Sequence, residues 1–238
     1  MGRALRTLLS WSGGKDCALA LHELLASQDA QLAGLLTTVN ESAARVSIHG
    51  SRIELVRQQA ARLGLPLLEV ALPDPCSNRA YEQLMGAALS QAAAEGVEAV
   101  AFGDISLRDV REYRETQLAR LGLKAIFPIF GRATSEVAQA QIGLGIRAIL
   151  TCVDQRRLPG HFAGRRFDAS LLAELPLSVD PCGESGEFHT LVWDSPDFSD
   201  PLAVVPGPVV ERGEFVFADL QLGREPHSAD REASGSRP

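Results

Sequence analysis

A chain of 238 residues with 45% apolar content can fold as one large domain, or as a domain with a smaller companion. Its formal net charge of −7 argues against a broad nucleic-acid surface, and no stretch approaches the roughly 18 apolar residues of a membrane span. The four cysteines are scattered, with neither a C-x-x-C pair nor zinc-ligand spacing, and the N-terminus lacks a signal-peptide layout; both point to a reduced, cytoplasmic protein.

Leu5 to Trp11, with the apolar run Leu8-Leu9, reads as a buried strand. Ser12-Gly13-Gly14-Lys15-Asp16-Cys17 follows, after which Ala18, Leu19, Leu21, Leu24 and Leu25 recur at helical spacing. The two glycines thus sit where a strand turns into a helix. Backbone without side chains can approach an anion closely there, and the N–H groups of the helix start point at it. Lys15 adds a mobile positive charge, and Asp16 a carboxylate to hold Mg²⁺ or cap the helix. The spacing is not that of a Walker A loop, since Leu9 stands where its first Gly belongs and Asp16 follows the Lys. A Gly-rich turn carrying a solvated Lys is the plainer alternative.

Leu32 to Val39 predicts a second strand, and Ile53, Val56, Ala60 and Leu63 one face of a helix closed by Gly64 and Pro66. Leu67 to Leu72 predicts a third strand, Arg79 to Glu95 an Ala-rich helix stopped by Gly96, and Val97 to Phe102 a fourth strand. Four strand–helix alternations are the mark of an open parallel sheet with helices on both faces, a Rossmann-like nucleotide-binding domain. Ligands of such sheets bind beyond the carboxyl ends of the strands, which selects Ser12 to Asp16, Asn40 and Gly103-Asp104. Asp104 lies where a Mg²⁺-phosphate would sit; capping the next helix, Arg108 to Leu121, is its alternative role. His49 fits a capping or surface role as well as phosphate contact.

Pro128 forbids a central strand position within Ile126 to Gly131, and a domain joint is placed there. The expected division is an ATP-binding domain over 1–130, a smaller C-terminal α/β domain over 131–222, and a disordered tail over 223–238. In the second part a helix from Thr134 to Leu144 and a strand from Ile146 to Val153 come first. A helix from Ala169 to Leu175 follows, then short strands at Leu191 to Asp194, Leu202 to Val205 and Glu214 to Leu222. Gly143-Leu144-Gly145 precedes a strand instead of following one, so it ends a helix and does not bind a dinucleotide. Gly183-Glu184-Ser185-Gly186 misses the nucleophile-elbow spacing by one residue. Cys182 to Thr190 nevertheless packs Glu184, Glu187, His189 and Thr190 into a Gly-broken loop, the density of a site that handles protons or Mg²⁺; a solvated acidic loop is the alternative.

Ser12 to Cys17 resembles the Ser-Gly-Gly-x-Asp-Ser loop of the pyrophosphatase-loop ATP enzymes, which cleave ATP between its α and β phosphates, with Cys17 in place of the final Ser. Together with the segment around His49, Gly103-Asp104-Ile105, Leu121-Gly122-Leu123 and Phe127-Pro128-Ile129-Phe130, the whole resembles the diphthine–ammonia ligase family. Cys182-Gly183-Glu184, Gly186-Glu187-Phe188-His189-Thr190 is close to that family's own signature. Phe130 stands where the family commonly has Trp.

The resemblance implies a ligase that adenylates a carboxylate with ATP and Mg²⁺ and then forms an amide with ammonia. In the family the carboxylate belongs to diphthine, a modified His of elongation factor two. Ser12, Gly13, Gly14, Lys15, Asp16, Cys17, His49, Gly103 and Asp104 would bind the nucleotide, with pyrophosphate facing Gly13, Gly14 and Lys15, and Asp16 and Asp104 would hold Mg²⁺. Lys15, Glu184, Glu187 and His189 would be catalytic. The partners expected are ATP, ammonia and a carboxylate-bearing acceptor, small molecule or modified protein residue, with a homodimer as an allowed assembly. Two expectations follow: Lys15→Ala opens little core, and Glu187→Gln spares ATP affinity while abolishing amide formation. A tRNA-thiolating enzyme using Cys182 and a non-catalytic ATP-binding protein are the competing readings.

Overall fold

A computed structural model describes residues 3–46 and 50–223; His49 and the tail beyond Gly223 lie outside the described residues. Leu5–Ser10 (β1) leads through the glycine turn into Lys15–Ala26 (α1), then Ala30–Asn40 (β2) and the short Arg45–Val46 (β3). Ile53–Leu63 (α2) ends at Gly64 in the left-handed conformation, as Gly64 and Pro66 predict, and Leu67–Leu72 (β4) follows. Asn78–Ala94 (α3) is capped by the Ser77 hydroxyl, and Ala99–Ala101 (β5) comes next. Arg108–Ala119 (α4), Lys124–Ile126 (β6) and Thr134–Gly143 (α5) complete this half.

β4, β2, β1, β5 and β6 pair in parallel in that order, and β3 adds an antiparallel end to β2. Strand order therefore reverses between β1 and β5, and a crevice opens at their carboxyl ends. Alternation along β1 sends Leu8 to one face and Leu9 to the other. Leu9 joins Leu19 and Leu21 of α1, Val56 of α2 and Val137 of α5. Leu8 joins Leu89 of α3, Leu118 of α4 and Val100 of β5. Helices thus cover both faces of the sheet.

A second, antiparallel sheet is built from Arg147–Asp154 (β7), Arg166–Phe167 (β8), Phe188–Asp194 (β9), Val204–Arg212 (β10) and Phe215–Leu222 (β11), with Ala169–Glu174 (α6) beside it. Its apolar residues Leu150, Phe188 and Leu191 share one core with α1 and α2, so the second sheet lies on the helix layer of the first. Two sequence expectations change here. β9 begins at Phe188, not Leu191, because Phe188 and His189 pair with Val153 and Cys152 of β7; His189 and Thr190 are strand residues, not loop. β10 runs on through Pro206-Gly207-Pro208 as an edge strand whose register shifts at the prolines, where no ladder donor is needed.

Candidate functional site

Three stretches distant in sequence line one cavity of about 350 Å³: Ser12 with Lys15 to Cys17, Gly103-Asp104, and Cys182 to Glu184 with Gly186 and Phe188 to Thr190. A second cavity of about 510 Å³ lies over the ends of β1, β2 and β4, lined by Thr37, Thr38, Asn40 and Tyr81 among others. The two share Ser10, Ser12, Phe102 and Arg114, at the reversal of strand order.

Gly13 and Gly14, expected against pyrophosphate, are buried behind this wall. Gly13, at φ +81°, offers its carbonyl to the Gln59 amide at 3.0 Å and to Val192 N–H of β9 at 2.8 Å. A Cβ on it would stand 2.7 Å from Gln59 Oε1. The first glycine is thus required by close packing under β9. The helix start is covered as well, since Lys15 N–H donates to the Thr190 hydroxyl at 3.2 Å.

Lys15 is neither mobile nor solvated. Its side chain is 2% exposed, 5.2 Å from the Phe167 ring centroid and 5.4 Å from that of Phe188. The ammonium donates to both Asp16 oxygens, at 3.0 and 2.9 Å, and to the Cys182 carbonyl. Burial alone would lower its pKa, but Asp16, with Cys182 and Glu184 nearby, holds it above the ordinary lysine value. Asp16 does not cap α1, whose N-cap is Gly14; it sits in the first turn, where Gln141 also donates to it at 2.8 Å.

Asp104 does not cap α4, which starts four residues later behind Leu107. It pairs with Arg114, Nε to Oδ2 at 2.7 Å and Nη2 to Oδ1 at 3.2 Å. Among the described residues no group of three or more His, Cys, Asp or Glu side chains is placed to hold a metal ion. Asp16 and Asp104 therefore suit an ion such as Mg²⁺ only if phosphate oxygens and water supply the rest of its shell, the usual way Mg²⁺ is bound beside nucleotides.

The signature segment splits in its roles. Glu184 reaches across to the other half, where its Oε1 accepts from Ile105 N–H at 3.0 Å and Ser106 N–H at 2.8 Å. Burial raises its pKa against the pull of those amides. Gly183 permits the turn that aims it: its φ is +69°, and a Cβ on it would stand only 2.7 Å from the Phe188 carbonyl oxygen. Glu187, expected to serve the acceptor, is 4% exposed and absent from the cavity wall. Its carboxylate accepts from Ser185 N–H at 3.0 Å and Asp180 N–H at 3.4 Å, closing its own loop. Glu187→Gln would put an NH₂ among those donors, so the expected selective loss of amide formation does not follow from the geometry.

His189 lines the cavity. Burial first, then the Lys15 charge, bring its imidazole down to about 4, so it is neutral at pH 7. Between pH 6.5 and about 4 the unfolded chain binds a proton that the folded chain refuses, so stability falls as pH drops through that window. Glu184, raised by burial, has the opposite slope. Comparing His189→Gln with the wild type isolates the histidine: the variant is expected to lose melting temperature less steeply between pH 6.5 and 4.5. Parallel curves would place the acid sensitivity elsewhere.

All four cysteines are free thiols. Cys17 donates to Gly14 O at 3.0 Å and Cys182 to Thr134 O at 3.1 Å. Burial pushes them up to about 11 and about 12, which keeps both protonated and poor nucleophiles. Sequence reasoning missed Arg114, Gln59, Gln141 and the capping by Thr190. None carries a local signal, because each acts on a partner brought close only by the fold.

Residues 5–125 match the family model described as the diphthamide synthase N-terminal domain, and residues 134–217 the one described as the diphthamide synthase C-terminal domain. A diphthine–ammonia ligase of Schizosaccharomyces pombe is 30% identical over 131 residues, 52% of this chain and 22% of that protein, so the match spans about a fifth of its length. Among solved structures, a predicted subunit of tRNA methyltransferase from Methanocaldococcus jannaschii superposes with a TM-score of 0.43 at 15% identity, over 81% of this chain and 98% of that one.

Proposed function

This chain belongs to the diphthamide synthase family, and on that premise we propose that it is an ATP-dependent ligase which adenylates a carboxylate and then forms an amide with ammonia. The observation that carries this reading is the single cavity wall shared by Ser12 with Lys15 to Cys17, by Gly103-Asp104, and by Cys182 to Glu184 with Phe188 to Thr190. It supports a reaction in which nucleotide and acceptor meet. The nucleoside lies in the cavity at the strand ends and the phosphates cross the seam at Ser10 and Ser12 into the loop-side cavity.

A substrate carboxylate oxygen attacks the α-phosphorus, the bond from phosphorus to the β-bridging oxygen breaks, and pyrophosphate leaves. Ammonia then attacks the acyl carbon, AMP departs, and the nitrogen loses a proton. That proton passes to solvent or to the departing AMP phosphate, and His189, held neutral on this wall, is an uncharged hydrogen-bonding partner for the ammonia. Glu184 fastens the signature segment to Ile105 and Ser106, which keeps the acceptor side over the nucleotide side. Mg²⁺, held by Asp16 and Asp104 with phosphate oxygens, would supply charge neutralisation when bound.

The acceptor we propose is a carboxylate of the kind named for the yeast relative, diphthine or a compound like it. Sulfur transfer is disfavoured by the protonated, carbonyl-bound thiols of Cys17 and Cys182. Among the described residues no helix is long and apolar enough to cross a membrane; with four free thiols, we place the protein in the cytoplasm.

The test is incubation with ATP, Mg²⁺, ¹⁵N-ammonium and cell extract, followed by chromatography of the nucleotides and mass spectrometry. AMP with pyrophosphate and a ¹⁵N-amide are expected. ADP as the main product would overturn the reading, and ATP binding without turnover would make the protein a nucleotide sensor.

A further inference from the structure

We propose that Arg114 is the residue that grips the phosphates of the nucleotide, the task that the sequence alone assigns to Lys15. The assignment rests on the ATP-ligase reading above and deepens it. Among the described residues two cations line the loop-side cavity, Lys15 and Arg114. Lys15 is enclosed by Asp16, the Cys182 carbonyl and two phenylalanine rings, and its side chain is 2% exposed. Its charge is spent inside the protein, where it ties the signature segment to α1. His189 is neutral and adds no charge to this wall.

Arg114 is placed differently. It lines both cavities, and in the one over the strand ends it is the sole Lys or Arg among the described lining residues. A nucleotide with its base at the strand ends and its phosphates at Ser12 must pass it. Its side chain is 29% exposed, and its guanidinium stands 4.3 Å from the centroid of the Phe102 ring. Phe102 follows β5 directly and precedes Gly103, so the ring fixes the guanidinium at the mouth of the crevice.

The guanidinium now pairs with the Asp104 carboxylate, Nη2 donating to Oδ1 at 3.2 Å while Nε stands 2.7 Å from Oδ2 without hydrogen-bond alignment, so one edge of the fork is still unsatisfied. A phosphate presents two oxygens at similar spacing, so the same fork fits it without a new rotamer family. Asp104 is then a positioning residue that keeps Arg114 aimed along the crevice until nucleotide arrives, in addition to its place beside Mg²⁺. Lysine in the same position would keep the charge and lose the fork.

The experiment is titration calorimetry of Arg114→Gln and Arg114→Lys with two probes, Mg·ATP and adenosine, alongside nucleotide-free melting. For Arg114→Gln, ATP is expected to bind about 30-fold more weakly, the loss of one charged hydrogen-bonding pair. Adenosine should bind within about twofold of wild type, because it brings no phosphate for the fork. Arg114→Lys should fall between wild type and Gln for ATP, and it carries the test should Gln fail to fold. Unchanged ATP affinity in the variants would overturn the assignment and leave the ATP site standing. Equal losses for ATP and adenosine would make Arg114 a structural prop of the crevice, which also overturns it. Failure of the wild type to bind ATP would sink the ligase reading itself and this assignment with it.

Discussion

Lys15→Ala is expected to melt roughly 10 °C below the wild type and to lose nucleotide turnover in the same variant. The sequence context suggests a cation whose removal opens little core; the fold buries the side chain and sets its ammonium over the rings of Phe167 and Phe188. Truncation leaves the Asp16 carboxylate without its ammonium and the Cys182 carbonyl without its donor. Removing one member of a buried pair costs about 3 kcal/mol or more, and the cavity adds to that. Asp16 is 31% exposed, and water offsets part of its share. Lys15→Met refills the buried space beside the rings without the charge, so it should recover part of the melting temperature and none of the turnover. Thermal melting beside pyrophosphate release decides the matter. A Lys15→Ala protein as stable as wild type would mean that the lysine does not join the two halves.

Gly103→Ala is expected to lower the melting temperature by roughly 6 °C and to weaken ATP binding more than tenfold. A Cβ there would lie 2.9 Å from Asp16 C and 2.9 Å from Cys17 N. Both are backbone atoms of the first turn of α1, so no side chain can rotate away. β5 and α1 would have to separate by about half an ångström at the crevice, where Asp16, Asp104 and Arg114 must keep their spacing, and overpacking of this kind costs about 2 kcal/mol. Gly86 in the middle of α3 has nothing within 4 Å of the same added atom. Gly86→Ala should therefore match or slightly exceed wild-type stability and leave ATP affinity alone. Equal behaviour of the two alanine variants in melting and titration would show that the contact at Gly103 yields.

Local chemistry sufficed for much of the nucleotide-binding half. Leu8-Leu9, Leu67 to Leu72 and the helical recurrence after Cys17 each report their element within a window of about a dozen residues, because side-chain period follows backbone geometry. The strand–turn–helix placement of Ser12 to Cys17 and the strand end at Gly103-Asp104 follow from the same periods, and with them the site's place at the carboxyl ends of a parallel sheet. The signature Cys182 to Thr190 was legible as a cluster of titratable groups.

The role of each group within that cluster was decided by tertiary structure. Glu184 and Glu187 stand three residues apart with the same carboxylate. One, aimed by the turn at Gly183, clasps Ile105 and Ser106 across the crevice, and the other closes its own loop. Lys15 reads as solvated beside two glycines until Phe167 and Cys182, far along the chain, enclose it. Arg114 carries no motif; it matters because Phe102 and Asp104 meet it where strand order reverses. The physical reason is one of range. Backbone period and turn chemistry act between neighbours along the chain, whereas burial, ion pairing and proton affinity are set by whichever distant atoms packing brings within about 4 Å.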